Sequence, residues 1–383
     1  MRKLALLLLA LILCLSCAHA EEEEEISMEE ILSGAAPEAV QSTITGLETE
    51  EDTSAPAAES IYESDGSVLI TISAVGDFTV GGDSRKSTSI FDDELKRQGG
   101  DIHFTMRNTR DIFLADDLTI VNFEGTLTDS TYIPANKKEN QFLFSAPPSY
   151  AAMLSENGVE AAALENNHIM DHGEEAFEDT KRALSDAGVV YSTSAEIGVM
   201  EIKGVQVAML SYLCIDRYAQ LWDKVPADIA AAKAQYPIVI VSFHWGNETY
   251  YQPTDNQVKM GRLAVDAGAD LVLGHHSHRI QPIECYKGVY ICYSLGNFCF
   301  AGNSKPSDMS SIIFQTRFRI RDGQVSNDGF RIIPIRISSL TDRNDFIPTV
   351  LEKATAIDSV VNTMKENGRK LQYAVEEYPL EWK

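Results

Sequence analysis

The chain has 383 residues, enough for one large domain or two medium ones with a substantial core. It carries 57 acidic and 32 basic side chains, for a net charge of −25. That balance argues against nucleic acid as the main partner, because phosphate backbones are gripped through Lys and Arg.

At the N-terminus, Arg2 and Lys3 precede an apolar run from Leu4 to Leu15 that is too short for a comfortable membrane span. Ala18-His19-Ala20 follows as an A-x-A cleavage signature. Residues 1–20 are therefore expected to be a signal peptide cleaved after Ala20, giving a secreted or cell-surface protein. Leu15-Ser16-Cys17 offers a weaker alternative, a lipid anchor at Cys17, and an uncleaved anchor is a third. From Glu21 to Asp65 there are fifteen acidic residues and no Lys or Arg. Composition reads residues 21–66 as a solvated, disordered linker rather than a cation- or polymer-binding tail.

Ordered structure is predicted from Ser67 onward. Val68–Val75 is a β-rich apolar run ended by Gly76-Asp77, and Leu118–Phe123 is a second, ended by Glu124-Gly125. Val159–Leu164 is a third, running into Glu165-Asn166-Asn167-His168. A helix is expected over Glu174–Ala187, stopped by Gly188. Val205–Tyr212 and Pro237–Phe243 read as further strands, the second ended by His244-Trp245-Gly246. Gln257–Ala267 reads as a helix, and Asp270–Gly274 as a short strand before His275-His276-Ser277-His278. Val289–Tyr293, Ile312–Ile320 and Phe330–Ile337 complete the strands, and a last helix is expected over Pro348–Lys365.

Strands mixed with helices indicate an α/β protein with a largely buried sheet. The domain should span residues 67–340, with a C-terminal helix and tail over 341–383 packed on it. Two of the six cysteines lie inside the signal. Cys214, Cys285, Cys292 and Cys299 form no C-x-x-C pair, so buried inert thiols are expected and a disulfide pair is left open.

Chemistry concentrates just after the apolar runs, where open α/β sheets place their sites. His168, His244, His275, His276 and His278 all follow predicted strands, and Asp77, Glu124 and Asn167 hold equivalent positions. Imidazoles, carboxylates and an amide oxygen together suit divalent Zn, Mn or Fe. Taken singly each signal is weak: an Asp after Gly is usually a turn, and a lone His usually sits satisfied in a core. The conjunction carries the weight.

Gly76–Asp83 (GDFTVGGD), Asn122–Leu127 (NFEGTL), Asn166–Gly173 (NNHIMDHG), His244–Glu248 (HWGNE), Gly274–Gln281 (GHHSHRIQ) and Tyr293–Phe298 (YSLGNF) resemble, in order, the motifs of the CapA family of bacterial capsule-synthesis proteins linked to poly-γ-glutamate. That family is itself similar to calcineurin-like metallophosphoesterases. The resemblance implies a four-layer α/β/β/α sandwich and a site for one or two divalent cations that activate a water for hydrolysis. It implies metal-ligand roles for Asp77, Glu124 (the bridging position), Asn167, His244, His276 and His278. It also implies a catalytic role for His168 as the acid that protonates the leaving oxygen. Asp171 could orient His168 or serve only as a turn residue. The substrate implied is an anionic polymer or a phosphoester, and membrane polymer-synthase components are the partners implied. Two departures stand out: Thr79 occupies the third position of the usual D-x-H, and Glu124 replaces an Asp. These keep open a non-catalytic component of a polymer synthesis or export machine, or an acidic-polymer or glycan-binding domain.

Overall fold

The computed structural model describes residues 38–41, 61–139 and 141–382. The expected signal peptide and most of the acidic segment lie outside them. One expectation is corrected inside that segment. Glu38–Gln41 (β1) is not part of a featureless linker but forms a strand paired in parallel with Glu196–Ile202 (β9). Order also begins a little before Ser67, where Tyr62 bridges to Val68 and Asp65 accepts hydrogen bonds from the Ser67 backbone and hydroxyl.

In chain order the remaining elements begin with Val68–Thr79 (β2), Gly82–Asp83 (β3), Ile90–Arg97 (α1), Leu118–Phe123 (β4), Thr126–Leu127 (β5), Phe144–Ala146 (β6) and Ala161–Ala163 (β7). Gly173–Asp186 (α2), Val190–Ser192 (β8), β9, Val205–Leu213 (β10), Tyr218–Lys233 (α3), Ile238–His244 (β11), Asp255–Asp266 (α4) and Leu271–His275 (β12) follow. The chain then continues through Ile283–Tyr286 (β13), Val289–Cys292 (β14), Asn297–Phe300 (β15), Ser310–Arg321 (β16), Gln324–Arg336 (β17), Thr349–Val350 (β18) and Ala354–Gly368 (α5).

Two large sheets form. One runs β1-β9-β10-β11-β12-β14-β13, the other β18-β17-β16-β2-β4-β7-β8 with β15 beside β2. The period of two along each strand assigns its side chains to opposite faces. Ile238 and Ile240 of β11 meet Ile70, Ile72 and Ala74 of β2 in the core between the sheets. Val239, Val241 and Phe243 point outward onto Val225, Ile229, Met260 and Ala264 of α3 and α4. On the far side, Val75, Phe78, Val121 and Phe123 pack with Phe91 of α1 and Ala183 and Leu184 of α2. The result is the expected four-layer α/β/β/α sandwich. α5 and the tail after it add Val360, Met364 and Tyr378 to the inter-sheet core.

The central strands of both sheets, β2-β4-β7 and β10-β11-β12-β14, run parallel, so their carboxyl ends gather at one edge. The sheets approach closely there. A Cβ on Gly76 would lie 1.8 Å from the Gly296 carbonyl oxygen, so only glycine admits the Asp77 N–H bond to that oxygen at 3.0 Å. The four cysteines are free thiols, three buried and Cys285 half-buried, as expected of inert ones.

The opposite edge holds a strained carboxyl. Burial pushes Asp116 up from 3.8 to about 7, against hydrogen bonds from Ser73 and Thr119 and with help from Glu160 and Asp117. Its Oδ1 is buried without a partner. A carboxyl whose folded pKa exceeds its unfolded value binds its proton first in the folded state. Its contribution to stability is therefore full below pH 4 and declines as pH rises to about 7. Asp116→Asn should raise thermal stability at pH 8, by about 1–2 kcal/mol, and give no gain at pH 4. Melting curves at the two pH values check this.

Candidate metal centre

Each chemistry-bearing residue is delivered by a strand end. Asp77 lies inside β2, which extends to Thr79 rather than stopping at Val75 as the apolar run predicts. Glu124 follows β4, Asn167 and His168 follow β7, His244 ends β11, His275 ends β12, and Asn297 opens β15. His276 and His278 sit in the turn after β12 with φ of 87° and 50°, left-handed values that non-glycine residues hold only when their surroundings impose them.

The structure brings Asp77, Glu124, Asn167, His244, His276 and His278 into one cluster. Asp77 Oδ2 is 3.1 Å from His278 Nδ1, and Asp77 Oδ1 accepts from Asn122 Nδ2 at 2.8 Å. Asn122 Nδ2 also lies 3.3 Å from His244 Nδ1. His244 Nε2 lies 2.7 Å from Asn167 Oδ1, so its two ring nitrogens face the two asparagine side chains. The His244 and His276 rings are 4.7 Å apart, and His276 and His278 6.1 Å.

Glu124 stands at the centre. It is fully buried, and neither carboxylate oxygen has a hydrogen-bond partner. One oxygen, Oε1, faces His168 Nε2 at 3.8 Å, His244 Nε2 at 3.9 Å and His278 Nε2 at 4.0 Å. A carboxylate stripped of water and given no donor is costly, by several kcal/mol when ionised. Burial, followed by the charge of Asp77, pushes Glu124 up to about 7. Burial alone would lower His278, but Glu124 and Asp77 together raise it to about 10. The same carboxylates do not rescue the other imidazoles: burial takes His275 and His276 down to about 4 and His244 well below its ordinary value. Burial also works against Asp77, but hydrogen bonding and charge from His278, with His275 and Asn122, hold it below the usual carboxylate range. The pattern is a pocket whose negative charge is surplus to its hydrogen-bond donors, with neutral imidazoles at His244, His275 and His276 and a proton held on His278 by Glu124 and Asp77. That donor set fits a divalent cation. Two groups, Asp77–Glu124–His278 and Glu248–His276–His278, offer ligand atoms all within 4.8 Å of one another.

Beside the cluster, His168 is held by a network of its own. Asp171 Oδ2 accepts from His168 Nδ1 at 2.7 Å and from the Phe144 backbone N–H at 2.8 Å. Asp171 Oδ1 accepts from Lys137 Nζ at 2.5 Å. A carboxylate so engaged leaves Nδ1 as the donor and turns Nε2 toward Glu124. The Phe144 ring meets the imidazole edge-on at 4.7 Å.

Sequence reasoning left several contributors unassigned. Asn122 bridges Asp77 and His244, and Lys137 neutralises Asp171. His275 is buried against Asp77 Oδ1 at 3.7 Å with both ring nitrogens unpartnered. Asn297 accepts from His278 Nδ1 at 2.8 Å. Two basic residues are engaged elsewhere: Lys287 pairs with Asp266, and Arg279 donates to the His278 carbonyl and to Ser307. Lys137, on an irregular loop, had no sequence signal.

Residues 71–302 match the family described as bacterial capsule synthesis protein PGA_cap. The PGA biosynthesis protein CapA of Bacillus subtilis (strain 168) is 32% identical over 253 residues, covering 61% of this chain and 63% of that one. The capsule biosynthesis protein CapA of Bacillus anthracis is 28% identical over 274 residues, covering 65% and 64%. A probable polyglutamine synthesis accessory protein of Mycobacterium tuberculosis is 31% identical over 214 residues, covering 48% and 55%. This chain thus spans less than two thirds of the length of these relatives. Among solved structures it is similar to the calcineurin-like phosphoesterase YfkN from Bacillus subtilis, with 14% identity and a TM-score of 0.41 over 79% of this chain and 100% of that one.

Glu124→Gln removes the surplus charge. In EDTA the variant should melt a few degrees higher than the wild type, a gain of about 1–2 kcal/mol. Manganese, which should raise the wild-type melting temperature, should leave the variant's nearly unchanged. Thermal scans with and without manganese measure both effects.

Proposed function

Because the chain belongs to the PGA_cap family of bacterial capsule synthesis proteins, we propose that it is an exported, cation-dependent hydrolase acting in the biosynthesis of a capsule-type anionic polymer such as poly-γ-glutamate. The observation that carries this is the buried Glu124 carboxylate, unpartnered at both oxygens and ringed by three histidine nitrogens. Export rests on the Arg2-Lys3 start, the short apolar run and Ala18-His19-Ala20. Among the described residues no helix is long and apolar enough to cross a membrane.

Divalent Mn, Zn or Fe bound by Asp77, Glu124, Asn167, His244, His276 and His278 would make water a nucleophile near neutral pH and offset the charge of an anionic substrate. The chain's own residues do the rest. Asp171 and Lys137 fix the His168 ring so that Nε2 faces the cluster and delivers a proton to the leaving oxygen. Asp77 and Asn297 hold Nδ1 of His278, so its Nε2 is the ligand atom. The substrate class is an acidic polymer or a phosphoester. Membrane-bound polymer-synthase components are the natural partners of such an exported protein.

A second reading has one observation in its favour. The Thr79 hydroxyl, at the position where related esterases place a ligand histidine, is buried without a partner. A site short of one ligand suits a binding component of a polymer synthesis or export machine.

Assays of the mature chain with p-nitrophenyl phosphate and poly-γ-glutamate, with added manganese, separate the two. His168→Ala should lower turnover by roughly 100- to 10,000-fold with metal content unchanged, whereas His278→Ala should lose metal as well. A manganese-loaded wild type that cleaves neither substrate yet binds the polymer as tightly as His168→Ala does would replace the hydrolase reading with the binding one.

A further inference from the structure

Beside the loop that follows β15 lies a cavity of about 350 Å³, lined by Ile90, Arg97, Ser304, Arg343, Asn344 and Phe346. Arg97 closes α1, and Arg343 arrives from the loop between β17 and β18. One carboxylate pins both guanidiniums. Glu94 Oε2 accepts from Arg97 Nε at 2.9 Å and from Arg343 Nη1 at 2.9 Å, while Oε1 accepts from Gln98 Nε2 at 2.9 Å. Glu94 is 2% exposed. Burial alone would raise it, but hydrogen bonds from Gln98, Arg97 and Arg343 hold it below the usual carboxylate range. Arginines anchored in this way have lost much of their rotamer freedom before a ligand arrives.

The anchoring spends little of either fork. Arg97 uses only Nε and Arg343 only Nη1, so both terminal nitrogens of Arg97, and Nε and Nη2 of Arg343, make no hydrogen bond among the described residues. The two side chains are 57% and 37% exposed, so a ligand reaches them. The cavity walls carry two positive charges and no negative one, in a chain whose net charge is −25. A second cavity, at Arg85, shows the contrast. Arg85 spends all three nitrogens on Asp83 and on the Lys138 and Gln141 carbonyls, and Asp83 and Glu139 line that cavity with it. Unspent guanidinium donors match the paired oxygens of a carboxylate or a phosphate.

β15 ties the arginine cavity to the metal centre. Asn297, at its start, accepts from His278 Nδ1, and the Phe300 ring, at its end, lies 4.8 Å from the His278 ring. The Phe300 carbonyl accepts from Asn344 Nδ2, in the cavity wall, at 3.0 Å. A stretch of strand roughly 10 Å long thus separates that wall from the His278 side of the cluster. A few residues of extended polymer span such a distance.

We propose that Arg97 and Arg343 form an anion subsite that grips a carboxylate or phosphate group of the acidic polymer while another segment of the same polymer lies at the metal centre. The proposal rests on the polymer reading given under the proposed function and not on its hydrolytic step.

Anisotropy of fluorescently labelled poly-γ-glutamate, titrated with the mature chain in EDTA at low ionic strength, tests this without metal. Arg97→Gln and Arg343→Gln should each weaken binding about tenfold, the cost of a charged hydrogen bond. Both substitutions also take a partner from buried Glu94. Ser304→Glu therefore repeats the test from an exposed position with the Glu94 contacts intact. It sets a carboxylate on the cavity wall and should weaken binding as much, while melting like the wild type. Lys96→Gln removes a charge from the same helix outside the cavity and should change binding less than about twofold. Equal losses in Lys96→Gln and Ser304→Glu, wild-type affinity in Ser304→Glu, or no polymer bound by the wild type would overturn the subsite. Inorganic phosphate bound by the wild type and lost in Arg343→Gln, with no polymer bound, would hand the cavity to a free phosphate and overturn the polymer subsite. A manganese-loaded wild type that binds polymer through these arginines yet cleaves neither poly-γ-glutamate nor p-nitrophenyl phosphate would support the subsite and overturn the hydrolase reading alone.

Discussion

A carboxylate that has lost its water and gained no donor must be neutralised, and the architecture around Glu124 is organised by that need. Two sheets bring the carboxyl ends of their parallel strands to one edge, and those ends and the turns after them supply imidazoles and a second carboxylate, Asp77, to the same pocket. Without a cation the cluster balances itself poorly. Glu124 rises toward neutrality and His278 holds a proton against its burial. The strain belongs to the site and the stability comes from elsewhere, from the three apolar layers that hold the sheets and helices together.

Precision comes from residues that touch no substrate. Asn122 serves Asp77 and His244 together, so ligands from the two sheets are set by one amide. Asn297 and Asp77 fix one nitrogen of His278, and Asp171 fixes one nitrogen of His168. In each case the other ring nitrogen is the one presented to the cluster. The glycine contact at Gly76 and Gly296 is part of the same logic, because a wider gap there would carry Asp77 away from the histidines.

Much of this was legible in the sequence. Buried parallel strands leave continuous apolar runs such as Ile238–Phe243, and the ligand types follow them directly. What escaped had no pattern to read. α3 was hidden by Pro226, a residue that ordinarily ends a helix, yet Val225 and Ile229 beside it are buried against the outer sheet face and packing prevails. β9, with Gly198 in its middle, is held by pairing with strands on both sides rather than by its own propensity. A lone glutamate in a surface turn and a lysine in an irregular loop cannot announce themselves, so Glu248 and Lys137 emerge only in three dimensions. His275 shows the converse: it sits in the same histidine run as His276, but one residue earlier on an extended strand, which places it against Asp77 with unpartnered nitrogens.

The central claim is that a divalent cation occupies the space in front of Glu124. Anomalous diffraction from crystals of the mature protein grown with zinc or manganese tests it most directly. The account predicts a peak about 2.0–2.3 Å from Glu124 Oε1 and within reach of His244 and His278 nitrogens. A map with no peak there at saturating metal, and Glu124 instead hydrogen-bonded to the protein or to water, would contradict it.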